Sequence, residues 1–409
     1  MSSRRRVVVT GMGIVSCLGN TLDAVADALC AARPGIVRID AWRERGFVSQ
    51  VAGVASVANE PPFDRRIERF LGDTARFACH AARSAVSDAG LDPARLRAPD
   101  AGAVIGSGTG SLAAYDEAMD LVRAHGAGKA GPYTVPRAMS STCSAAVAHA
   151  FGVEGVTYSP SSACTTSALA IGQAMRLIES GAQNIVLAGG SDELHDGSAL
   201  LFGAMGVVSH RFNDVPGRAS RPYDESRDGF VLASGAGVLV LESLDHALAR
   251  GARIHGEITG FGQATDGADM VAPRRRGIAR AIRAAANGRV PGYVNTHAPS
   301  TPLGDIEELG ALTDVFGSEL PPFSSVKGLT GHPLGASGAH EAIYTLLMIE
   351  RGWLAGTPNL DARDPATHGL PLVVETRQAR LRDALSVSFG FGGVAACLAF
   401  AAYHDQQTF

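Results

Sequence analysis

Short apolar runs of strand length alternate with helix-length segments along most of this chain. The strand-like runs lie at residues 7–10, 103–106, 184–187, 237–241, 372–374 and 396–400. From Ala339 to Leu347 apolar residues recur at helical spacing, and the pattern stops at Gly352, which predicts a helix with a glycine cap. The alternation predicts an α/β fold in which largely parallel strands are covered by helices.

Length and composition favour a large core divided between two parts. The chain has 409 residues, of which 46% are hydrophobic and 19% charged, and a core of that size normally splits into two units. A break near residues 249–255 predicts an N-terminal half, 1–250, and a C-terminal half, 251–409. Because no low-complexity tract or long linker separates them, we expect a site formed between the halves.

Charge and cysteine usage exclude several classes of protein. The net charge of -4 provides no basic field for nucleic acid or for a membrane surface. The six cysteines, at positions 17, 30, 79, 143, 164 and 397, lack the spacing of metal ligands, and neither a signal peptide nor an apolar run of membrane-spanning length is recognisable. We therefore expect a cytoplasmic protein with reduced thiols and no metal.

Cys164 lies where an extended approach meets a helical pattern that stops at Ser180-Gly181. The first N–H groups of a helix have no intrahelical partner and carry the positive end of its dipole. A thiolate there is stabilised, so the sequence predicts a lowered pKa and a nucleophilic role for Cys164. The competing interpretation is a buried structural cysteine, because free cysteines are among the most buried residue types.

A second set of polar residues far downstream favours the nucleophile. His297, Lys327 and His332 lie close to predicted strand ends, in or beside glycine-rich turns. Side chains placed there project into a site from a rigid scaffold. One thiol, two imidazoles and one amine together make a chemical set that none of them makes alone.

Four stretches of the chain resemble the signature blocks of the β-ketoacyl-acyl carrier protein synthases. They are Ser162-Ala-Cys164, residues 295–305, residues 327–335, and Ser388-Phe-Gly-Phe-Gly-Gly393, and their order and spacing also match. The type I branch of that family is the most similar. The resemblance implies a thiolase fold with five αβαβα layers and two pseudo-duplicated halves. It also implies a homodimer or heterodimer that takes its substrates from an acyl carrier protein, with no cofactor beyond the carrier's phosphopantetheine.

The resemblance assigns a role to each member of the set. Cys164 would accept an acyl chain as a thioester, and the backbone N–H groups of Cys164 and Phe391 would bind the resulting oxyanion. His297 and His332 would hold the enolate formed when malonyl-acyl carrier protein loses carbon dioxide, and the product would be a 3-oxoacyl-acyl carrier protein. Lys327 would set the local field, with Glu308 and Glu341 as its candidate charge partners.

The family's pattern also implies a gate, an acyl pocket and a docking face. The gating loop corresponds to Phe389, Gly390, Phe391, Gly392 and Gly393; the acyl and pantetheine positions to Gly108, Met139, Phe202 and Thr301; and the carrier-docking positions to Arg65, Arg66, Arg69, Arg123 and Lys129.

The sequence departs from the family's pattern at three places. Ala298-Pro299 replaces a glycine-threonine pair, so a hydroxyl that would bind the pantetheine arm is missing, only Thr301 remains, and we expect the arm to bind less tightly. Residues 386–388 and 394–395 lack the usual asparagines and threonine, so we expect a looser gate. The small residues Gly197 and Ser198 predict a roomier acyl pocket.

Other functions are weaker interpretations. The glycine clusters at 11–13 and 106–110 lack the remaining residues of a dinucleotide or phosphate loop. A thiolase needs a second cysteine near the C-terminal glycines, and only Cys397, inside a strand-like run, is available. A chain-length-factor subunit that does not itself elongate stays an alternative, favoured by the altered loops and opposed by the intact Cys164, His297, Lys327 and His332.

Overall fold

The computed structural model describes residues 4–403, and ten of the strands within them form one sheet. The strands are β1 (Val7–Val15), β2 (Ile36–Arg38), β3 (Val51–Gly53), β4 (Ala101–Gly106), β5 (Thr157–Tyr158), β6 (Ile185–Asp192), β7 (Gly235–Ser243), β8 (Gly256–Thr265), β9 (Val294–Asn295), β10 (Phe323–Ser324), β11 (Trp353–Leu354), β12 (Arg377–Gln378), β13 (Asp383–Gly390) and β14 (Val394–Ala401). The sheet order is β10-β9-β13-β14-β8-β1-β7-β6-β4-β5.

The helices fill the connections between these strands. They are α1 (Leu22–Cys30), α2 (Asp40–Glu44), α3 (Arg65–Glu68), α4 (Asp73–Asp88), α5 (Leu112–His125), α6 (Thr134–Ala138), α7 (Thr142–Phe151), α8 (Thr166–Glu179), α9 (Asp196–Ala204), α10 (Leu244–Ala249), α11 (Arg275–Ala286), α12 (Gly304–Phe316), α13 (Lys327–Thr330) and α14 (Ser337–Arg351). None of the helices within residues 4–403 combines the length and apolar character needed to cross a membrane.

The sheet consists of two halves with the same topology. In β5-β4-β6-β7-β1 the first two pairings are parallel and the next two antiparallel, and the series β10-β9-β13-β14-β8 repeats this pattern strand for strand. A short antiparallel pairing of Val7–Val9 with Gly256–Ile258 joins the two halves. The predicted duplication of the fold is therefore confirmed.

Apolar side chains on both faces of each half sheet produce the layers. On β6, Val186 packs in the central core and Leu187 in the outer core with α4; on β14, Leu398 packs in the central core and Cys397 with α11. The central core is built around α8 and α14, and α14 is buried from Ser337 to Ile349. Strands covered on both faces are apolar throughout, which explains their continuous hydrophobic runs.

Glycines set how closely the outer helices lie against the sheet. A Cβ added at Gly13 of β1 would lie 2.0 Å from the carbonyl oxygen of Ala81 in α4, and one added at Gly262 of β8 would lie 1.9 Å from that of Ala281 in α11. The cluster at 11–13 is thus a packing device, in keeping with its lack of a nucleotide fingerprint.

Most of the predicted elements are present, but one predicted strand is absent. The expectation of largely parallel strands is also wrong, because the ten-stranded sheet is mixed, with four parallel and five antiparallel pairings. The helix from Ala339 is α14, which begins two residues earlier and ends at Gly352 with a φ of +73°. Residues 372–374 were expected to form a strand, but they run as an extended segment with a single bridge from Leu372 to Phe323. A bend at Glu375 follows this segment, before β12 begins at Arg377.

Candidate active site

The four predicted catalytic residues come from both halves of the chain, and three of them line one cavity of about 410 Å³. Cys164, His297 and His332 reach its wall, and the cysteine sulfur and one ring nitrogen of each histidine lie within 4.8 Å of one another. Lys327 lies directly behind His297. The cavity also borders Gly108, Thr109, Phe202, Phe230, Pro299, Thr301, Leu334, Phe389, Gly390 and Phe391.

Cys164 lies on a single 3₁₀ turn, Ala163–Thr165, that leads directly into α8. Ala163 adopts a φ of +46°, a left-handed conformation that is costly for a residue with a Cβ. Hydroxyl groups hold the turn: Thr165 Oγ1 donates to Ser162 O at 2.7 Å, and Thr166 Oγ1 donates to Ala163 O at 2.7 Å. This local network points the thiol into the cavity.

The expectation of a lowered cysteine pKa is wrong for this structure. Burial raises the pKa of Cys164 to about 12, and the nearby charge of Lys327 lowers it only in part. Removing the thiol and the thiolate from water outweighs the benefit of the helix start. The free protein therefore holds a neutral thiol, which must give up its proton as it reacts.

The two histidines face each other across the cavity. Their rings meet edge to face with centroids 5.0 Å apart, and His297 also packs against Phe389 at 4.5 Å. Burial, together with the charge of Lys327, lowers both histidine pKa values well below 6.5. Neutral imidazoles at physiological pH can each donate one N–H and accept at the other nitrogen.

Lys327 is buried and fully engaged. Its Nζ donates to His297 O at 2.7 Å, lies 3.4 Å from His297 Nδ1, and forms an ion pair with Glu341. Burial raises the pKa of Glu341 to about 7, while the Lys327 charge acts in the opposite direction. Glu341 is therefore the direct partner of the ammonium group.

Glu308, the other candidate partner, makes different contacts. It accepts hydrogen bonds from the backbone N–H groups of His297 at 2.8 Å and Ala298 at 2.7 Å, so it fixes the loop that carries His297. Burial raises its pKa to about 8, although these hydrogen bonds act to lower it. Glu308 is not ion-paired with Lys327.

The predicted gating segment spans the end of β13 and the tight turn at residues 391–393. Gly392 and Gly393 have φ values of +83° and +68°, which favour glycine. Backbone hydrogen bonds anchor the turn, from Gly392 N to Met270 O at 2.8 Å and from Asp266 N to Gly393 O at 3.1 Å. The segment 266–270, which the sequence did not link to the gate, thus supplies an anchor for this turn.

Gly390 lies directly against the nucleophile. A Cβ at this position would lie 2.9 Å from the backbone nitrogen of Cys164. The glycine therefore leaves space in front of that N–H group, beside the turn that carries Phe391. The oxyanion of the tetrahedral intermediate, formed when Cys164 attacks the acyl carbonyl, would lie here.

Only part of the expected acyl wall borders this cavity. Phe202 lines the cavity with its ring 5.4 Å from that of Phe230 and 6.2 Å from that of Phe391. Met139 does not line it and lies in a separate groove with Ile67 and Phe70. Gly197 and Ser198 do not border the cavity either, because they lie on the first turn of α9 and Phe202 lies on its last.

The five predicted docking residues are all exposed. Arg65 and Arg66 lie on α3, and Arg69 stacks over the rings of Phe70 and Tyr133 at 4.8 and 5.3 Å. Arg123 lies near the end of α5 in an ion pair with Asp120, and Lys129 follows in a 3₁₀ turn.

The thiol and the two imidazoles could also ligate a soft metal ion. The ammonium of Lys327 beside His297 disfavours a cation at that place. A thiolase mechanism needs a second cysteine as base, and the available candidate is Cys397. This residue is buried on β14 in the outer core and does not line the cavity.

Comparison with known proteins gives consistent matches. Residues 4–247 match the family model "Beta-ketoacyl synthase, N-terminal domain", and residues 255–361 match "Beta-ketoacyl synthase, C-terminal domain". The 3-oxoacyl-[acyl-carrier-protein] synthase 1 of Haemophilus influenzae is 46% identical over 404 residues, which cover 98% of this chain and 100% of the relative.

Two solved structures share the fold over 98% of this chain and 100% of theirs. A beta-ketoacyl synthase from Burkholderia phymatum has a TM-score of 0.92 at 35% identity. A type II polyketide ketosynthase, AntDE, in complex with its acyl carrier protein AntF, has a TM-score of 0.91 at 28% identity.

Proposed function

Because this chain belongs to the β-ketoacyl synthase family, we propose that it condenses an enzyme-bound acyl group with malonyl-acyl carrier protein to give 3-oxoacyl-acyl carrier protein. The reaction is a decarboxylative Claisen condensation, and the protein is an acyltransferase. The observation that carries the residue roles is the convergence of Cys164, His297 and His332 within 4.8 Å in one cavity.

In the first half-reaction the Cys164 sulfur attacks the acyl thioester carbonyl. The bond to the pantetheine sulfur breaks, and a new thioester forms on Cys164. As the bonds exchange, the proton of the neutral thiol passes to the departing pantetheine thiolate. The backbone N–H of Cys164, left accessible by Gly390, stabilises the tetrahedral oxyanion together with the N–H of Phe391.

In the second half-reaction malonyl-acyl carrier protein loses carbon dioxide. The electron pair of the broken C–C bond becomes an enolate on the thioester, and N–H groups of His297 and His332 stabilise its oxygen. The enolate carbon then attacks the Cys164 thioester, the bond to the cysteine sulfur breaks, and the thiolate takes up the one proton that the overall reaction consumes, from solvent. Neutral imidazoles suit this role, since both histidine pKa values are lowered and the rings remain uncharged donors.

Lys327 orients His297 rather than touching the substrate. Its Nζ donates to the backbone oxygen of His297 and faces Nδ1 of the same residue. An acceptor Nδ1 leaves the proton on Nε2, which gives His297 the N–H donor that the enolate needs. The Lys327–Glu341 pair thereby fixes a tautomer and avoids an unpaired buried charge.

Elongation is favoured over the role of a non-elongating partner subunit. A partner that only shapes chain length does not need a thiol, two neutral imidazoles and a buried lysine brought together at one cavity. The high identity to a 3-oxoacyl-[acyl-carrier-protein] synthase 1 over nearly the full length supports the same conclusion.

The carrier protein is expected to dock on the exposed cations of the N-terminal half: Arg65, Arg66, Arg69, Arg123 and Lys129. The AntDE–AntF complex supports a carrier partner for a fold of this kind. A pairing of this chain with a second ketosynthase-like subunit, identical or different, belongs to the same proposal. The substrates arrive on phosphopantetheine, and no further cofactor is proposed.

The assignment of the nucleophile is tested by intact-protein mass spectrometry after incubation with acyl-acyl carrier protein. We expect one acyl adduct on the wild type, none on Cys164→Ala, and an unchanged adduct on Cys30→Ala, which removes an exposed cysteine. His297→Ala and His332→Ala should still be acylated but should not condense. A full adduct on Cys164→Ala, or near-normal condensation by both histidine variants, would refute the proposed roles.

A further inference from the structure

Asp192, the last residue of β6, is a fully buried carboxylate held only by neutral donors. It accepts hydrogen bonds from Ser107 Oγ at 2.6 Å, Gly108 N at 3.1 Å, Thr109 N at 3.4 Å, Thr109 Oγ1 at 3.3 Å and Gly335 N at 2.6 Å. It forms no ion pair with any residue in the range 4–403. A buried charge without a cation is costly, so this concentration of donors calls for an explanation.

The carboxylate joins two turns that both border the active-site cavity. Gly108 and Thr109 lie in the turn after β4, and Leu334 precedes Gly335 in the turn that follows His332. The approach is too close for side chains: a Cβ at Gly335 would lie 2.6 Å from Asp192 Oδ2 and 2.7 Å from Gly108 N. One side chain therefore fixes the wall of the acyl pocket against the loop of a catalytic histidine.

His332 depends on its backbone for its position. Neither ring nitrogen has a hydrogen-bond partner among the residues that the structure describes, and the ring packs edge to face against the rings of Phe230 and His297. On one side the backbone is fixed by hydrogen bonds from His332 N to Val231 O and from Ala233 N to His332 O. On the other side, the nearest side-chain anchor is the contact of Gly335 with Asp192.

We infer that Asp192 is a positioning residue, which holds the His332 loop and the acyl-pocket turn in one register so that the acyl thioester and the malonyl enolate meet. The inference rests on the proposed role of His332 in decarboxylation. Asp192 acts through the backbone and does not touch the substrate.

The test separates the two half-reactions in Asp192→Asn. The amide keeps the shape but turns one acceptor into a donor that opposes a backbone N–H group. With pre-acylated enzyme, carbon dioxide release from malonyl-acyl carrier protein should fall roughly ten- to hundredfold, the equivalent of one lost charged hydrogen bond. Acylation of Cys164, followed by mass spectrometry, should change by no more than about threefold, since the Cys164 turn has its own hydroxyl network.

Glu193→Gln is the matched control. Glu193 is the next residue, is also buried, and likewise accepts from backbone and hydroxyl groups, at Thr74, Ser111 and Ala113, on the side away from His332. It should leave the ratio of the two half-reactions unchanged. An equal loss in both half-reactions for Asp192→Asn, or the same altered ratio for Glu193→Gln, would overturn the inference.

Two further variants keep the outcome decisive. If Asp192→Asn fails to fold, Gly335→Ala tests the same contact, because the backbone at Gly335 does not need glycine for its φ and only the contact with Asp192 and Gly108 excludes a Cβ. If His332→Ala retains decarboxylation, the proposed role of His332 fails. If His332→Ala abolishes decarboxylation and Asp192→Asn does not impair it, only the positioning role fails.

Discussion

The two halves of the molecule begin their central helices in the same way but put different chemistry there. Ala163 before α8 and Leu334 before α14 both have a φ of +46°, and each opens a single 3₁₀ turn. The second residue of that turn is Cys164 in the first half and Gly335 in the second. One helix start thus presents a nucleophile and the other presents only a backbone amide.

The strand ends that face these two amides also differ, since one is a glycine and the other is an aspartate. Gly390 ends the eight-residue strand β13 and lies against Cys164 N, whereas Asp192 ends the eight-residue strand β6 and accepts from Gly335 N. Helix starts attract negative charge. At the start of α14 the Asp192 carboxylate permanently occupies the position in front of the amide. At the start of α8 Gly390 leaves the same position open for a transient oxyanion. The active site lies where the duplicated fold leaves this position unfilled.

The connections to the two helices differ as well. Four residues separate β5 from the turn before α8, and nine separate β10 from the turn before α14. The longer connection carries Lys327 and His332. The first half therefore supplies the thiol, and the second half supplies the groups that act on it.

The largest effect is expected from filling the open position in the first half. Gly390→Ala would place a Cβ 2.9 Å from Cys164 N without a demand on the backbone, because Gly390 does not have a positive φ. We expect acylation of Cys164 to slow by roughly 10²- to 10³-fold, the usual consequence of losing one oxyanion donor. Single-turnover acylation followed by mass spectrometry measures it.

Gly203→Ala is the control for this substitution. It makes the same change on α9, where the added Cβ would have its nearest neighbour at 3.9 Å, and it should acylate like the wild type. If Gly390→Ala acylated as fast as Gly203→Ala, the open amide beside Gly390 would not be the oxyanion site, and the contrast with Asp192 would lose its functional meaning.

A smaller effect is expected where the two halves are joined. His255, just before β8, bonds to Asp88 of α4 and to Glu350 of α14. Burial alone would lower its pKa, but the two carboxylates raise it to about 9. Since the folded pKa lies above the unfolded value of about 6.5, the stabilisation is complete below pH 6.5 and is lost as the pH rises through 9.

Thermal unfolding of the wild type and His255→Gln between pH 6 and 10 measures this contribution. The two curves should differ by up to about 3 kcal/mol at the acid end and converge above pH 9. His340→Gln is the control, because burial lowers the pKa of His340 to about 4 and its contribution should not vary above pH 7. If the difference in unfolding free energy between the wild type and His255→Gln did not change with pH, the positive charge of His255 would not stabilise the contact between the halves.

The sequence singled out Cys164, His297, Lys327 and His332, which the structure brings together. The duplication followed only from the family resemblance and was not visible in the residue pattern. The repeated fragment is short: Thr10-Gly-Met-Gly13 in β1 and Thr259-Gly-Phe-Gly262 in β8. These glycines are constrained in both halves, because an outer helix carbonyl lies about 2 Å from where their Cβ atoms would be. Other positions need only be apolar, so their identities have diverged while the topology has not.

Properties set by distant parts of the chain were not predictable from local pattern. The helix start after Cys164 was visible in the sequence, but the burial that raises its pKa to about 12 comes from both halves. The wall of the cavity also depends on tertiary placement, which is why Phe202 lines it whereas Met139 lies in a separate groove. Asp192 was visible as an acidic residue at the end of an apolar run, yet its partners lie 83 to 143 residues away.

The smallest effect concerns the carrier, for which all five proposed docking cations lie in the first half, between residues 65 and 129. An acidic carrier held by exposed cations should bind less well as salt screens the attraction. Arg65→Glu with Arg66→Glu should raise the KM for acyl-acyl carrier protein about fivefold at low salt, the equivalent of roughly 1 kcal/mol. It should leave kcat and the rate with small acyl thioesters unaffected.

Arg280→Glu with Arg283→Glu makes the same charge change on the exposed face of α11 in the second half and should leave that KM unchanged. Steady-state kinetics at 20 and 200 mM salt would distinguish the two faces, because only the wild type and the α11 variant should lose affinity as salt increases. Equal effects of the two double variants would mean that the carrier responds to net charge alone, and that the first half has no dedicated docking face.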